Sequence, residues 1–407
     1  MAQSSPPTYT TVLEQSSVAP PPGKIAGFSL PLAFFDLQWL HSSPGHRLIF
    51  YQHPVSRTHF KDTIIPHLKT SFSIALQYYP LLAAKLAVPS DYSTPPEFVY
   101  RDGDGVPLVF AVSDDNGRFD RLSSNHARNS NEFYSLLPTL PSVRRGMFAV
   151  QVTLFPDAGI CVGIALHHVV GDGSSIFGFM KAWAALSLLG HKSSSLSLSD
   201  EYLPFLDRSL NEDPKGLKTL VWNQMKQIPI DEDGHGVPFP DVTGKARATF
   251  ILTRDDIQKL KTHVISRRSK VVRQPSSFVV TCAYMWTCLL KSHAQRRDSL
   301  PRRTALLRRL RRSERPFSGS WRARRESLVN RERILSVAAS PRFDYYKMDF
   351  GWGKPKKTET TSIDYSGAIY VGCAKDSLDI EVGVSVPVPK MHLLKTLFDQ
   401  GLQALSL

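Results

Sequence analysis

Apolar side chains recur every three or four residues in the segment that follows Lys61. The residues of this series are Ile65, Leu68, Phe72, Leu76 and Tyr79. A repeat of this period places the apolar groups on one face of a helix, where they can pack on a core. The spacing therefore predicts an amphipathic helix that ends near Pro80.

Two apolar runs with strand composition follow further along the chain. FAVQVTLF starts at Phe148 and ICVGIALHH starts at Ile160, with a Pro-Asp-Ala-Gly turn between them. The pair predicts a β-hairpin, with His168 at the end of its second strand.

The segment after His168 contains turn residues and then a second helical pattern. VVGDGSS supplies the turn, and apolar residues recur at helical spacing from Ile176 to Leu186. Either Asp172 or Ser174 can cap the predicted helix.

The chain is expected to divide into residues 1–195, a crossover of residues 196–245, and a second unit of residues 246–407. The crossover is indicated by the small polar run GHKSSSLSLS and by the prolines that follow it. Strands are interleaved with helices in both halves, and this predicts an α/β protein of mixed sheets flanked by helices.

Six elements of the second unit are readable from composition and pattern. ATFILT from Ala248 predicts a strand, and the residues from Thr253 predict a helix with a capped N-terminus. SSFVVTCAYMWTCLLKS predicts a helix, AIYVGC and DIEVGVSVPV predict strands, and residues 391–405 predict a closing helix.

Composition is that of a globular protein of about two domains. The chain has 407 residues, of which 42% are hydrophobic and 21% charged. Its four cysteines show no CxxC spacing and lie in apolar runs, which favours buried free thiols and a reducing compartment. The N-terminus lacks the pattern of a signal peptide, and no run approaches membrane-spanning length, so we expect a cytoplasmic protein without a membrane partner.

Most of the net charge of +14 comes from one segment. Residues 296–333 contain fourteen arginines and four acidic residues, a local balance of +10. An RNA-binding or membrane-binding role for this run is one alternative. Only Phe317 and Trp321 interleave with the arginines and no binding fold accompanies them, so a solvated loop is favoured and no nucleic-acid partner is expected.

The candidate chemistry centres on His168, which precedes a glycine-flanked turn. A neutral imidazole on such a rigid support can take a proton from an alcohol that attacks a thioester carbonyl, and can then return it to the leaving thiolate. Asp172, four residues later, either orients the ring or faces away and fixes the turn. Taken alone, the HxxxD spacing favours a structural histidine and a cap-forming aspartate.

A second motif changes this interpretation. DFGWG begins at Asp349, and HxxxDG followed far downstream by DFGWG resembles the signature of plant BAHD acyltransferases. Other stretches resemble the same family: SLPLAFFDLQWL, the QVTLFPDAGICVGIALHH hairpin, LPFLDRS, SSFVVTCAYMW and SVAASPRFDYYKMDFGWGKPKK. Together they cover most of the chain outside the arginine-rich segment.

The resemblance implies a fold and roles for particular residues. It implies two chloramphenicol-acetyltransferase-like domains with an active-site channel at their interface, where His168 is the catalytic base. Asp172 is implied to point away from the channel and to pair with an arginine of the second domain, and Gly173 to permit the tight turn. Ser340 and Arg342 become candidates for the acceptor pocket. The residues implied to maintain the fold and the coenzyme A site are Asp349, Phe350, Gly351, Trp352 and Gly353.

The subgroup most similar to this chain acylates glucosides of anthocyanins, flavonoids and other phenolics. This implies an acyl-CoA co-substrate, with malonyl favoured and hydroxycinnamoyl as the alternative, and a phenolic glycoside acceptor. The resemblance implies a monomer that needs no metal or redox cofactor. His167 is interpreted as structural, because alternation turns it away from the face of His168.

The arginine-rich segment departs from the family. Members normally carry there an apolar strand with a DxRxR-like run and a YFGN-type motif, and residues 296–333 contain neither. A shifted reading frame or a mis-spliced exon is one hypothesis, and the arginine partner of Asp172 would be lost with the replaced residues. The alternative function is therefore a catalytically impaired member of the family.

Overall fold

The structure is a computed structural model. The residues that it describes are 9–115, 117–190, 203–208, 210, 212–230, 238–267, 274–294, 335–339, 343–375 and 378–405. The strands in these ranges are β1 Thr11–Val18, β2 Phe28–Pro31, β3 Gly45–Tyr51, β4 Lys85–Ala87, β5 Glu97–Tyr100, β6 Val106–Val112, β7 Arg128–Asn129, β8 Phe148–Phe155, β9 Gly159–Leu166, β10 Lys245–Leu252, β11 Val337–Ala339, β12 Lys357–Glu359, β13 Ile369–Cys373 and β14 Ile380–Pro387. The α-helices are α1 Phe34–Leu37, α2 Arg57–His59, α3 Ile65–Tyr78, α4 Arg118–Leu122, α5 Gly173–Leu189, α6 Leu217–Met225, α7 Arg254–Ser266, α8 Ser277–Ala294, α9 Ile363–Ser366 and α10 Val388–Gln403.

The strands form two large sheets and one small sheet. The first sheet has the order β1-β6-β8-β9-β3-β12, the second has the order β11-β13-β14-β10-β7, and the small sheet has the order β2-β5-β4. β6 runs parallel to β8 and β11 runs parallel to β13, while the hairpin pairs are antiparallel. The expected α/β class with mixed sheets and flanking helices is confirmed.

Each large sheet takes one short strand from the opposite part of the chain. β12 joins the edge of the first sheet, where Thr358 lies opposite Ile49 of β3. β7 joins the edge of the second sheet, where Arg128 lies opposite Arg247 of β10. The sheets therefore share chain segments, and the division at residues 195 and 246 stays a prediction.

The elements predicted for the first half are present. β8 and β9 form the antiparallel hairpin, with Phe155 opposite Gly159. α3 ends at Tyr78, two residues before Pro80, and α5 follows His168 as its apolar spacing predicts. Both helices pack on the first sheet and on each other, because the rings of Phe72 and Trp183 meet with centroids 4.8 Å apart.

The elements predicted for the second half are also confirmed. α7 begins with a capping box in which the Thr253 hydroxyl accepts from the Asp256 backbone N–H at 3.1 Å. α8 and α10 cover the second sheet, where Phe250 of β10 contacts Phe398 with ring centroids 4.9 Å apart. The crossover predicted for residues 196–245 contains α6.

Buried ion pairs connect the two large sheets. Glu359 of β12 binds Arg128 at 2.8 Å and Arg247 at 3.7 Å, and Arg247 also binds Asp364 at 2.5 Å. All four side chains are almost fully shielded from solvent. Because such charges are costly to bury unless they are paired, the cluster fixes how the sheets meet.

All four cysteines are free, as predicted, but only Cys161 and Cys288 are buried, and Cys282 and Cys373 are half-buried. In the described ranges, no helix has the length and apolar character needed to cross a membrane.

Candidate active site

His168 lies just beyond the strand on which the sequence placed it. β9 ends at Leu166, and His168 begins a short 3₁₀ turn that extends to Val170. The expected strand-end position is therefore wrong by two residues, because the sheet pairing with Gly45 stops at Leu166. His167 is buried, with its Nε2 atom 3.4 Å from the Pro141 carbonyl oxygen, which fits a structural role.

Asp172 caps the helix that follows. Its carboxylate accepts from the Ser175 backbone N–H and from the Ser175 hydroxyl, both at 2.9 Å. Gly173 is the first residue of α5. Asp172 is exposed, and within the described ranges no lysine or arginine nitrogen lies within 4.0 Å of it. Among the described residues, Asp172 thus has a hydroxyl and a backbone N–H as partners, and its pairing with an arginine of the second domain stays a prediction.

Two residues from distant parts of the chain border the imidazole of His168. The indole of Trp39 lies against it, with ring centroids 5.0 Å apart. On strand β3, a Cβ added to Gly45 would lie 3.5 Å from His168 Nε2, the ring atom nearest to that point. A side chain at this position would therefore touch the nitrogen that a general base would use, and it would also meet Leu166 Cδ2 at 2.9 Å.

The surroundings of His168 favour its neutral form. Burial lowers the pKa of His168 below its usual value, while a hydrogen bond with the Gly171 backbone and the charge of Asp172 oppose this shift. A neutral imidazole carries a free lone pair at neutral pH. The site thus holds a base that is ready to accept a proton.

The DFGWG residues form a tight loop at the other end of α5. The carboxylate of Asp349 accepts from the backbone N–H groups of Gly351 and Gly353 at 2.8 and 2.9 Å. Both glycines have positive φ angles, of 94° and 80°, which other residues rarely adopt. Phe350 packs on Trp183 of α5 with centroids 4.8 Å apart, ten residues beyond the start of that helix. That separation is about 15 Å along a helix, so the loop supports the fold at a distance from the imidazole.

Comparison with known sequences decides the family. The Transferase family profile matches residues 10–310. The chain belongs to the BAHD acyltransferases.

Individual BAHD relatives agree with this assignment. The chain is 34% identical to a malonyl-coenzyme:anthocyanin 5-O-glucoside-6'''-O-malonyltransferase of Salvia splendens, over 98% of this chain and 97% of the relative. It is 37% identical to phenolic glucoside malonyltransferase 1 of Nicotiana tabacum, over 88% of this chain and 91% of the relative. The crystal structure of vinorine synthase shares the fold, with a TM-score of 0.66 at 18% identity over 95% of this chain and 98% of that one.

The remaining BAHD site residues named from sequence lie outside the described residues. These are Ser340 and Arg342, and the arginine-rich residues 296–333 lie outside as well. Conversely, sequence reasoning missed Trp39 and Gly45 as neighbours of the base. Trp39 stands in the family-like stretch SLPLAFFDLQWL, but no spacing connects either residue to a histidine more than a hundred positions away.

Proposed function

We propose that this BAHD acyltransferase moves a malonyl group from malonyl-CoA to a sugar hydroxyl of a phenolic or flavonoid glucoside, with His168 as general base. The observation that carries the proposal is the placement of His168 Nε2 beside Gly45 of β3, with the imidazole against the indole of Trp39. The lowered pKa of His168 favours the neutral imidazole at neutral pH. The two malonyltransferase relatives support the donor and the class of acceptor.

The transfer needs one base and correct placement. Nε2 of His168 accepts the proton of the acceptor hydroxyl while the hydroxyl oxygen attacks the thioester carbonyl carbon. The tetrahedral intermediate then collapses, the carbon–sulfur bond breaks, and the imidazolium returns the proton to the coenzyme A thiolate. Holding the two substrates together removes much of the entropic barrier, and the base contributes about 10²- to 10⁴-fold.

The residues around His168 then have supporting roles. Asp172 fixes the turn between the base and α5 through its cap, and the Trp39 indole shields one face of the imidazole. The loop that starts at Asp349 maintains the fold and the coenzyme A site, as the resemblance implies. Four free thiols suit a reducing cytosol.

A donor and acceptor panel tests the proposal. Purified protein is incubated with malonyl-CoA, acetyl-CoA or coumaroyl-CoA and a set of phenolic glucosides, and acylated products are quantified by mass spectrometry. We expect malonylated glucoside from the wild type and a loss of about 10²- to 10⁴-fold in kcat for His168→Ala. His126→Ala is the matched control, because His126 is exposed and bonds only locally to Ser124 among its described contacts. A coumaroylated product without malonyl transfer would assign the hydroxycinnamoyl donor instead.

The impaired-enzyme alternative has its own measurement. Residues 296–333 lack the family motifs, so the wild type itself must be shown to bind its donor. Ligand that binds only the folded state raises the thermal midpoint by mass action. A wild type with neither transfer nor a midpoint shift in malonyl-CoA would contradict the proposed function.

A further inference from the structure

Arg47 is a buried cation next to aromatic rings. Its side chain is on β3 and is only 8% exposed. The guanidinium carbon lies 3.9 Å from the ring centroid of Tyr345 and 5.1 Å from that of Tyr370, and Nη1 donates to the Tyr370 hydroxyl at 3.4 Å. Its described neighbours are therefore π faces and a hydroxyl.

Carboxylates satisfy other buried guanidinium groups of this protein. Arg128 and Arg247 each bind Glu359, whereas no Asp or Glu oxygen of the described ranges lies within 4.0 Å of Arg47. Glu381 is close enough to affect the pKa of Arg47, but its oxygens bind Lys357 at 3.1 Å and the Tyr346 hydroxyl at 2.9 Å. A buried charge without a counter-charge is costly, which points to an anion that arrives with a ligand.

The position of Arg47 connects it to the base. Side chains alternate along a strand, so Gly45 and Arg47 of β3 face the same side of the first sheet, about 7 Å apart along the strand. Gly45 lies beside His168, since a Cβ on Gly45 would be 3.5 Å from His168 Nε2. A second set of contacts also connects Arg47 to this region. Tyr345 contacts Phe177 with ring centroids 5.0 Å apart, and Phe177 lies in the second turn of α5, the helix that follows His168.

We propose that Arg47 binds the free carboxylate of the acyl group and so selects thioesters of short dicarboxylic acids, with malonyl-CoA as the type substrate. The inference rests on the proposed function, because it assumes that the thioester carbonyl lies before His168. A reacting hydroxyl lies about 3 Å from the base and about 3 Å from the carbonyl carbon, and the malonyl carboxylate carbon is about 2.5 Å further on. A guanidinium binds a carboxylate through two parallel N–H groups.

The test is the ratio of kcat/KM for malonyl-CoA to kcat/KM for acetyl-CoA, which lacks the carboxylate. We expect Arg47→Gln to reduce this ratio about 30-fold or more, because truncation leaves the carboxylate desolvated and unpaired. Arg47→Lys keeps the positive charge but loses the two parallel N–H donors, so we expect a smaller fall in the ratio, of about 10-fold. Arg118→Gln is the matched control: Arg118 is also buried, but its described hydrogen bonds go to the far edge of the first sheet, and the ratio should not change.

Each outcome decides between recognition and packing. A folded Arg47→Gln with the wild-type ratio would overturn the inference and leave Arg47 as a structural contact between tyrosines. If Arg47→Gln does not fold, Arg47→Lys decides in the same way. If the wild type transfers no acyl group, the proposed function fails separately. The binding role is then still tested by thermal melting: malonyl-CoA should raise the midpoint of the wild type more than acetyl-CoA does, and Arg47→Lys should reduce this difference.

Discussion

Gly45 of β3 lies beside the imidazole of His168: a Cβ on Gly45 would lie 3.5 Å from the Nε2 atom of His168 and 2.9 Å from Leu166 Cδ2. The leucine contact is with the end of a flexible side chain, so Gly45→Ala should fold with a modest loss of about 1–3 kcal/mol. In the proposed function, a methyl group next to Nε2 would crowd the acceptor hydroxyl. We expect glucoside acylation to fall about 100-fold, with a smaller fall in the hydrolysis of malonyl-CoA by water.

Gly383→Ala is the control for the Gly45 variant. Gly383 is also on a strand, and an added Cβ would meet Tyr370 Cβ at the ordinary distance of 3.5 Å. Transfer by this variant should match the wild type. Equal loss of transfer and hydrolysis in Gly45→Ala would mean that the methyl group disturbs the base itself rather than the acceptor.

The pH dependence of acyl transfer should report the protonation of His168. Because burial lowers its pKa, we expect kcat/KM to fall on the acid side with an apparent pKa below 6.5. The charge of Asp172 raises the pKa of His168, so Asp172→Ser should move the acid limb to still lower pH while the serine keeps the helix cap. A pH profile of kcat/KM for both proteins checks the direction, and a limb that moves to higher pH would contradict the assignment.

Removal of the Glu359 carboxylate from the buried ion cluster between the sheets should strongly lower the free energy of unfolding. Burial acts to raise the pKa of Glu359, but Arg128, Lys357 and Arg247 together lower it. Glu359→Gln leaves Arg128 without its carboxylate, while Arg247 keeps Asp364 and Lys357 keeps Glu381. The loss of the buried charge should cost about 3–5 kcal/mol in urea unfolding. Glu14→Gln, which breaks the half-exposed pair with Lys69, should cost about 0–1 kcal/mol. Similar losses in the two variants would refute the importance of the cluster.

Acid destabilisation should depend on His46. Burial lowers the pKa of His46 to about 3, whereas an unfolded histidine takes up its proton near pH 6.5. The contribution of His46 to stability is therefore complete above pH 6.5 and is lost as pH falls towards 3. Because His46 lies among aromatic rings, with Phe239 and Tyr365 at 5.7 and 5.6 Å, His46→Phe should fit there. Thermal melts from pH 8 to pH 4 should show a shallower decline for the variant, and parallel declines would count against this origin.

Local pattern predicted much of the secondary structure correctly. The helical spacing before Pro80, the runs on either side of the Pro-Asp-Ala-Gly turn and the capping residues at Thr253 each correspond to an element of the structure. These features depend on neighbours within a few residues, where backbone geometry alone decides which side chains share a face. The position of His168 was missed by two residues, because only the sheet pairing determines where β9 ends.

The sequence by itself determined the family, through HxxxDG and DFGWG, and singled out the histidine at position 168 that we propose as the base. Only the tertiary structure decided which residues surround that base. Gly45 comes to His168 because β3 pairs with β9, and Trp39 reaches the imidazole from the turn that follows α1. Glu359 reaches its arginines because β12 joins the first sheet next to β3. Strand pairings across such separations depend on burial and ion pairing throughout the fold, and the periodicity of a local segment carries no information about them.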